Sequence, residues 1–212
     1  MKYWKSLNIE KRDKIRIVAA SYLNGDKRRY PACKSFINSI LAQTYDNFEL
    51  FIVHDGPIDD CEEKVDLLES IKDSRIKLFQ TKERMGKFGY PHRKNYGFIN
   101  NDFDWIIWTN DDNFYVPTAL EILLHGCQKL DKDIVFCNMI SSHAFWFPLV
   151  TEFKPDKLDL GGFIIKKEVM KQFDFQIDGD CTRSDAKMIA ELSLKVDNDR
   201  MVKIDNFLFI HN

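Results

Sequence analysis

The 212-residue chain has no apolar run approaching the roughly 18 residues of a membrane-spanning helix. Its opening, MKYWKSLNIEKRDK, lacks the apolar stretch of a signal peptide. Excess charge of either sign is also missing: 31 Lys and Arg stand against 33 Asp and Glu, for a net charge of −2. That balance argues against a general nucleic-acid binder, which is normally basic. Cysteine is sparse and irregular. Cys33, Cys61, Cys127, Cys137 and Cys181 are odd in number, widely spaced and without a Cys-x-x-Cys pair, so free thiols in a reducing cytoplasm are expected. No internal repeat and no low-complexity segment interrupts the chain.

What is present is apolar and aromatic. Hydrophobic residues make up 44% of the chain, enough for one sizeable core, so a single domain over 1–212 is expected. Most of the 17 Phe should belong to that core. KIRIVAASYL (14–23) and FELFIVHDG (48–56) read as buried strands, RIKLFQ (75–80) as a short one, and DIVFCNMI (133–140) as another. Between them, Pro31 opens a stretch with Phe36, Ile37, Ile40 and Leu41 on one helical face. Asp59 or Asp60 caps a second stretch carrying Val65, Leu68 and Ile71. Pro117 stands at the first turn of a third, with Leu120, Leu123 and Leu124. Residues 81–100 begin as a basic loop and end helical, and 141–160 read as a long loop or short strands. GGFIIKKEVMKQF (161–173) is a strand leading into a helix, TRSDAKMIAELSLKV (182–196) an amphipathic helix, and VKIDNFLFIHN a strand ending at His211.

Strands alternating with helices predict an α/β fold, a mostly parallel sheet with helices on both faces. Ligands of such sheets bind beyond the carboxyl ends of the strands. WIIWTNDDNFYVP (105–117) is informative there, because a buried strand runs straight into Asp111 and Asp112. A lone Asp at such a place would most simply cap the following helix. An adjacent pair suits a hard divalent cation, which takes one or two carboxylates and completes its shell with phosphates and water.

The order of these segments resembles the GT-A glycosyltransferases, the family-2-like group in particular. IRIVAASYLNG is similar to that group's opening strand and nucleotide loop, and SFINSILAQTYDNFELFIVHDGP to its second segment. PHRKNYG is similar to its Ala-Arg-Asn-x-Gly segment, with Lys94 in place of Arg. TNDDNFYVP is similar to its DXD region, DLGGFIIKKEVM to its acceptor-side Gly segment, and TRSDAKM to its base segment. The match spans residues 15–211, with one departure: Thr109 stands where many members carry the first Asp of Asp-x-Asp-Asp.

The resemblance implies a Rossmann-like GT-A fold, with residues 1–115 as the nucleotide-binding half and 116–212 as the acceptor-binding half. It implies a metal-dependent, inverting transfer of a hexose or deoxyhexose from a UDP-sugar to a glycan or other hydroxyl acceptor, with Mn²⁺ or Mg²⁺ as cofactor. Asp112 and His211 would ligate the metal, and Asp111 would accept from the ribose hydroxyls. Asp55 would take the uracil N3–H, with Ala20, Ser21 and Tyr22 lining the base pocket. Arg84 and Lys94 would face the diphosphate. Gly161 and Gly162 would let the backbone approach the sugar, Asp159 would bind a sugar hydroxyl, and Asp185 would be the general base. Trp146 and its Phe neighbours divide between an acceptor platform and core packing. Each residue also has a plainer reading: Asp55 as a turn former, Asp185 as a favourable first-turn acid, the basic loop as a solvated face. Two rival functions remain open at this point, a nucleotidyltransferase and a non-catalytic nucleotide- or carbohydrate-binding module. SYLNGDKRR is a poor version of the former's Gly-rich loop, and the presence of Asp185 argues against the latter. A chain ending one residue after His211 leads to the expectation of further domains in a longer protein.

Overall fold

Among the described residues, six strands run in one direction and deliver their carboxyl ends to a single edge of the sheet. The computed structural model describes residues 12–22, 29–57, 70–84, 95–142, 145–173 and 184–212. Within them lie β1 (Ile15–Ser21), β2 (Phe48–His54), β3 (Ile76–Gln80), β4 (Trp105–Asn110), β5 (Phe114–Tyr115), β6 (Ile134–Ser141), β7 (Phe147–Leu149), β8 (Phe163–Lys166) and β9 (Met201–His211). The sheet order is β3-β2-β1-β4-β8-β6-β9-β5, with β7 paired to β6. β1 is parallel to β2 and β4, and β2 to β3. β8 runs antiparallel to both β4 and β6, which leaves β6 and its parallel neighbour β9 pointing the same way as β1. β5 and β7 are short antiparallel additions.

Both faces of the central strands are buried, which is why these strands read as continuous apolar runs rather than as clean alternation. Ile15, Ile17 and Ala19 of β1 enter one core cluster with Phe36 and Ile40 of α1 (Arg29–Leu41) and Leu120, Leu123 and Leu124 of α2 (Ala119–Lys129). Val18 enters the other, with Met170 of α3 (Lys167–Met170) and Ile189 and Leu192 of α4 (Ser184–Lys195). The expected mixed α/β layering is therefore present. The third helix begins at Ala119, two residues beyond Pro117, with Thr118 at its N-cap. Residues 141–160 hold one short strand, β7, and a loop pinned by Thr151, whose N–H donates to Asn138 Oδ1 (3.0 Å) and whose hydroxyl donates to the Cys137 carbonyl (2.8 Å). The expected helix carrying Val65 and Leu68 lies outside the described residues, though Ile71 packs on the first cluster. Cys33, Cys127 and Cys137 are buried free thiols, while Cys61 and Cys181 lie outside the described residues. Among the described residues no helix is long and apolar enough to cross a membrane.

The second face contains a buried charge. Register sets Arg16 of β1 beside Glu49 of β2. The Arg16 guanidinium donates to Glu49 Oε1 from two nitrogens (2.9 and 2.6 Å) and to the carbonyls of Gly97 (2.9 Å) and Ile99 (2.7 Å). It lies between the rings of Phe51 and Phe103, 4.3 and 4.2 Å from their centroids. Burial pulls the guanidinium below its ordinary pKa, and Glu49 opposes that shift. Removing one partner of such a pair strands a buried charge at a cost of about 3–5 kcal/mol, whereas replacing both with apolar groups is far less harmful. Glu49→Leu should therefore lower the urea-unfolding free energy by that amount, Arg16→Leu by less because Lys14 (3.3 Å) and Lys77 (3.4 Å) still reach Glu49, and the double variant by less than the sum of the two. Additive losses would show that the pair acts as two independent contacts.

Candidate functional site

The last carbonyls of β1 organise one half of the edge. Ser21 O accepts from the Asp55 N–H (3.0 Å), and Ala20 O accepts from the Asp111 N–H (3.0 Å). The loops leaving β2 and β4 are thus tied to the end of β1. Asp55 is 3% exposed and Asp111 1%, with Ala20 and Tyr22 half-buried beside them. Ser21 is buried as well, and its hydroxyl has no hydrogen-bond partner among the described residues. The turn after Asp55 needs glycine, because Gly56 has φ +84° and a Cβ there would lie 2.2 Å from Arg84 Cγ. Arg84 reaches back over this turn to the carbonyls of Pro57 (3.0 Å) and, more loosely, Asp55 (3.4 Å). The structure therefore brings together Ala20, Ser21, Tyr22, Asp55, Arg84 and Asp111. Lys94 lies outside the described residues, as do Lys87, His92 and Arg93.

The other half is built where β4 turns into β5. The half-buried Asp112 sits in that turn. β5 pairs with β9 through Phe114–Ile210 and Tyr115–Phe209, which brings the turn to the end of β9. Asn113 closes the junction. Its Oδ1 accepts from the Asn212 N–H (3.2 Å), and its Nδ2 donates to Thr109 Oγ1 (3.0 Å). Thr109, the departure from the resembling pattern, is thus a buried anchor for the turn. Asn113 was not anticipated as a positioning residue. Its place directly after the Asp pair was the available signal.

Three side chains converge at the end of β9. His211 Nε2 lies 3.5 Å from Asp159 Oδ2, and its Nδ1 lies 3.4 Å from Ser141 Oγ. The ring stacks on Phe209 (6.3 Å, 27°). Asp159 also accepts from the Gly161 N–H (2.7 Å), capping a short 3₁₀ turn that leads into β8. Gly161 is required there by packing, since an added Cβ would lie 2.5 Å from the Phe209 ring, whereas at Gly162 it would meet the flexible tip of Leu158 at 2.9 Å. Tyr115 completes the turn by donating to the Gly161 carbonyl (2.9 Å). Asp185, in the first turn of α4, has a buried Oδ1 without a hydrogen-bond partner among the described residues. Burial pushes its carboxyl up to about 6, and the charge of His211 works against that shift.

Among the described residues no three His, Cys, Asp or Glu side chains are grouped to hold a metal ion on their own. The donors present are the Asp112 carboxylate and the His211 imidazole, held on adjoining chain ends by the Asn113–Asn212 contact. Such a pair fits a hard cation that draws its remaining ligands from phosphates and water. A cavity lined by Asp13, Trp105, Cys127, Gln128 and Lys166 lies at the amino ends of β1 and β4, away from this edge.

The raised carboxyl of Asp185 makes a stability prediction. Between the ordinary aspartate value near 4 and its folded value of about 6, the folded protein holds a proton that the unfolded chain releases. The stability contributed by protonation is fully present below about pH 4 and is lost as pH rises through 6. Urea midpoints of wild type should thus fall relative to Asp185→Asn from pH 4 to pH 7. Parallel pH profiles would place Asp185 at an ordinary pKa.

Comparison with known proteins was made against this geometry. The profile of the family described as glycosyl transferase family 2 matches residues 27–182. A Rickettsia typhi protein described as an uncharacterized glycosyltransferase is 31% identical over 134 residues, which cover 60% of this chain and 40% of that protein. The chain thus spans less than half the length of this relative. Among solved structures, Staphylococcus aureus TarS 1–349 in complex with UDP-GlcNAc superposes with a TM-score of 0.68 at 15% identity, covering 93% of this chain and 58% of that one. The mannosyltransferase PcManGT of Pyrobaculum calidifontis, in complex with GDP-Man and Mn²⁺, superposes with a TM-score of 0.65 at 16% identity, covering 95% and 57%. At these identities the superpositions establish a shared fold.

Proposed function

Because the chain belongs to glycosyl transferase family 2, we propose that it transfers a hexose or deoxyhexose from a UDP-sugar to a hydroxyl of a glycan or other acceptor, with inversion, and with Mn²⁺ or Mg²⁺ bound. The observation that carries this reading is the meeting of Asp185, Asp159 and His211 at the carboxyl edge of the sheet, across from Ser21, Asp55 and Asp111. The UDP-GlcNAc bound by the TarS neighbour supports a uridine donor, and the Mn²⁺ of the mannosyltransferase neighbour supports the metal.

Each residue then has a task set by its position. Asp55 accepts from the uracil N3–H at the end of β2, with Ala20, Ser21 and Tyr22 around the base. Asp111 accepts from the ribose hydroxyls. Asp112 and His211 hold the cation, which when bound offsets the charge of the diphosphate leaving group. Arg84 stands on the diphosphate side, the role the resemblance also gives to Lys94. The glycines 161 and 162 set the floor that Asp159 caps, and Asp159 orients a sugar hydroxyl. Asp185 takes the proton from the attacking acceptor hydroxyl as the bond to the leaving UDP breaks. The transition state has oxocarbenium character, as in glycoside hydrolysis. A carboxyl with a value of about 6 is largely ionised at neutral pH and is still basic enough to serve.

The test is UDP release from a panel of UDP-sugars with and without Mn²⁺, together with UDP affinity by calorimetry. Asp185→Asn should lower transfer by on the order of 10²–10⁴-fold with donor affinity nearly unchanged, because a base acts in the transition state. Asp112→Ala should instead abolish most of the Mn²⁺-dependent UDP affinity. GDP and ADP should compete poorly with UDP until Asp55 is changed to Ala. Full transfer by Asp185→Asn, or equal binding of GDP and UDP by the wild type, would count against the corresponding assignment.

A further inference from the structure

Three strands place an exposed aromatic ring in line with His211. Ser141 pairs with Phe147 across the antiparallel β6–β7 ladder and with His211 across the parallel β6–β9 ladder. Residues directly opposite in a ladder project from the same face of the sheet. Phe147, Ser141 and His211 therefore form a row on one face, and the Ser141 hydroxyl meets the His211 ring at 3.4 Å. Two strand spacings, about 10 Å, separate the ends of that row. Phe147 is 66% exposed, and the turn before it exposes Phe145 (85%) and Trp146 (57%). That turn is held against β6. The Trp146 N–H donates to the carbonyl of Ser141 (2.8 Å) and the Phe145 N–H to that of Ser142 (3.0 Å). Phe145 and Trp146 adopt φ of 53° and 63°, a left-handed conformation that bulky residues rarely take. Strain of this kind persists where a turn is held for use, and here it turns aromatic rings toward solvent instead of the core.

We propose that Phe147, flanked by Trp146, is the stacking platform of an acceptor subsite for a carbohydrate; the proposal rests on the glycosyltransferase reading above. A pyranose presents an apolar face of C–H groups and a rim of hydroxyls. An exposed ring at one end of the row receives the former. Asp159 and Asp185, at the other end, receive the latter. The length of the row leaves room for one or two linked sugar rings between Phe147 and the attacking hydroxyl. The charged groups meeting His211 are the carboxylates Asp159 and Asp185, which suit hydroxyl donors and repel anionic lipid headgroups.

The experiment uses the full chain with chitotetraose, maltotetraose, cellotetraose and mannotetraose as probes, read by saturation-transfer NMR, with UDP affinity in Mn²⁺ measured in parallel. At least one tetraose should bind the wild type. Phe147→Ala should weaken that binding about tenfold, the scale of a truncated aromatic anchor. Phe147→Tyr, which keeps the ring, should restore it, and UDP affinity should stay unchanged in both variants. If UDP binds but no tetraose does, or if Phe147→Ala binds as tightly as wild type, the platform is overturned. It is equally overturned if phosphatidylglycerol vesicles capture the wild type and not Phe147→Ala, since a lipid surface is then the occupant. Loss of UDP binding by the wild type itself would bring down the parent reading and this proposal with it.

Discussion

The pairing of β1 with a parallel neighbour on each side is the constraint on which the candidate site depends. Every residue of β1 through Ala20 has a partner on both β2 and β4. The ladders end one residue apart, at Ser21 with β2 and at Ala20 with β4, and the last two carbonyls of β1 then take the N–H groups of Asp55 and Asp111. A register slip of one residue would turn each of these strands over and send its core side chains to the wrong face. Because both faces are packed, such a slip is heavily penalised. The two carboxylate-bearing loops are thus positioned by the same burial that stabilises the sheet.

The half of the edge around His211 is assembled differently. β8 inserts antiparallel between β4 and β6, and β9 returns from the far end of the chain to lie beside β6. The short β5 strand then joins the Asp112 turn to β9. Asp112, Asp159, Asp185 and His211 come from four separate segments, so the placement of each depends on long-range contacts. Tyr115, Phe209 and Gly161 form the packed floor beneath them, with no space for a Cβ at Gly161.

Much of this was legible in the chain itself. Apolar runs with double-sided burial identified β1, β2, β4 and β6, and helical spacing identified α1, α2 and α4, because those signals are local. The insertion of β8 was not legible, since strand order is decided by distant partners. The pairing of Arg16 with Glu49 and its place between two Phe rings appear only once register is known. Thr109 looked like a gap in a motif and is instead the anchor of Asn113. Composition left Trp146 and its Phe neighbours divided between an acceptor platform and core packing, and a turn with positive φ at Phe145 and Trp146 leaves Phe145, Trp146 and Phe147 all exposed. Lys94 and the rest of the basic segment fall outside the described residues, so their placement on the diphosphate side rests on the resemblance.

On the proposed function, the edge defined by β1, β4 and β9 binds a nucleotide diphosphate through a cation held by Asp112 and His211. A crystal of the protein grown with UDP and Mn²⁺, measured at the manganese absorption edge, tests it most directly. The expected result is an anomalous peak beside the Asp112 carboxylate and the His211 ring, with uracil against Asp55. A nucleotide bound away from this edge, or a diphosphate seated there without manganese, would contradict it.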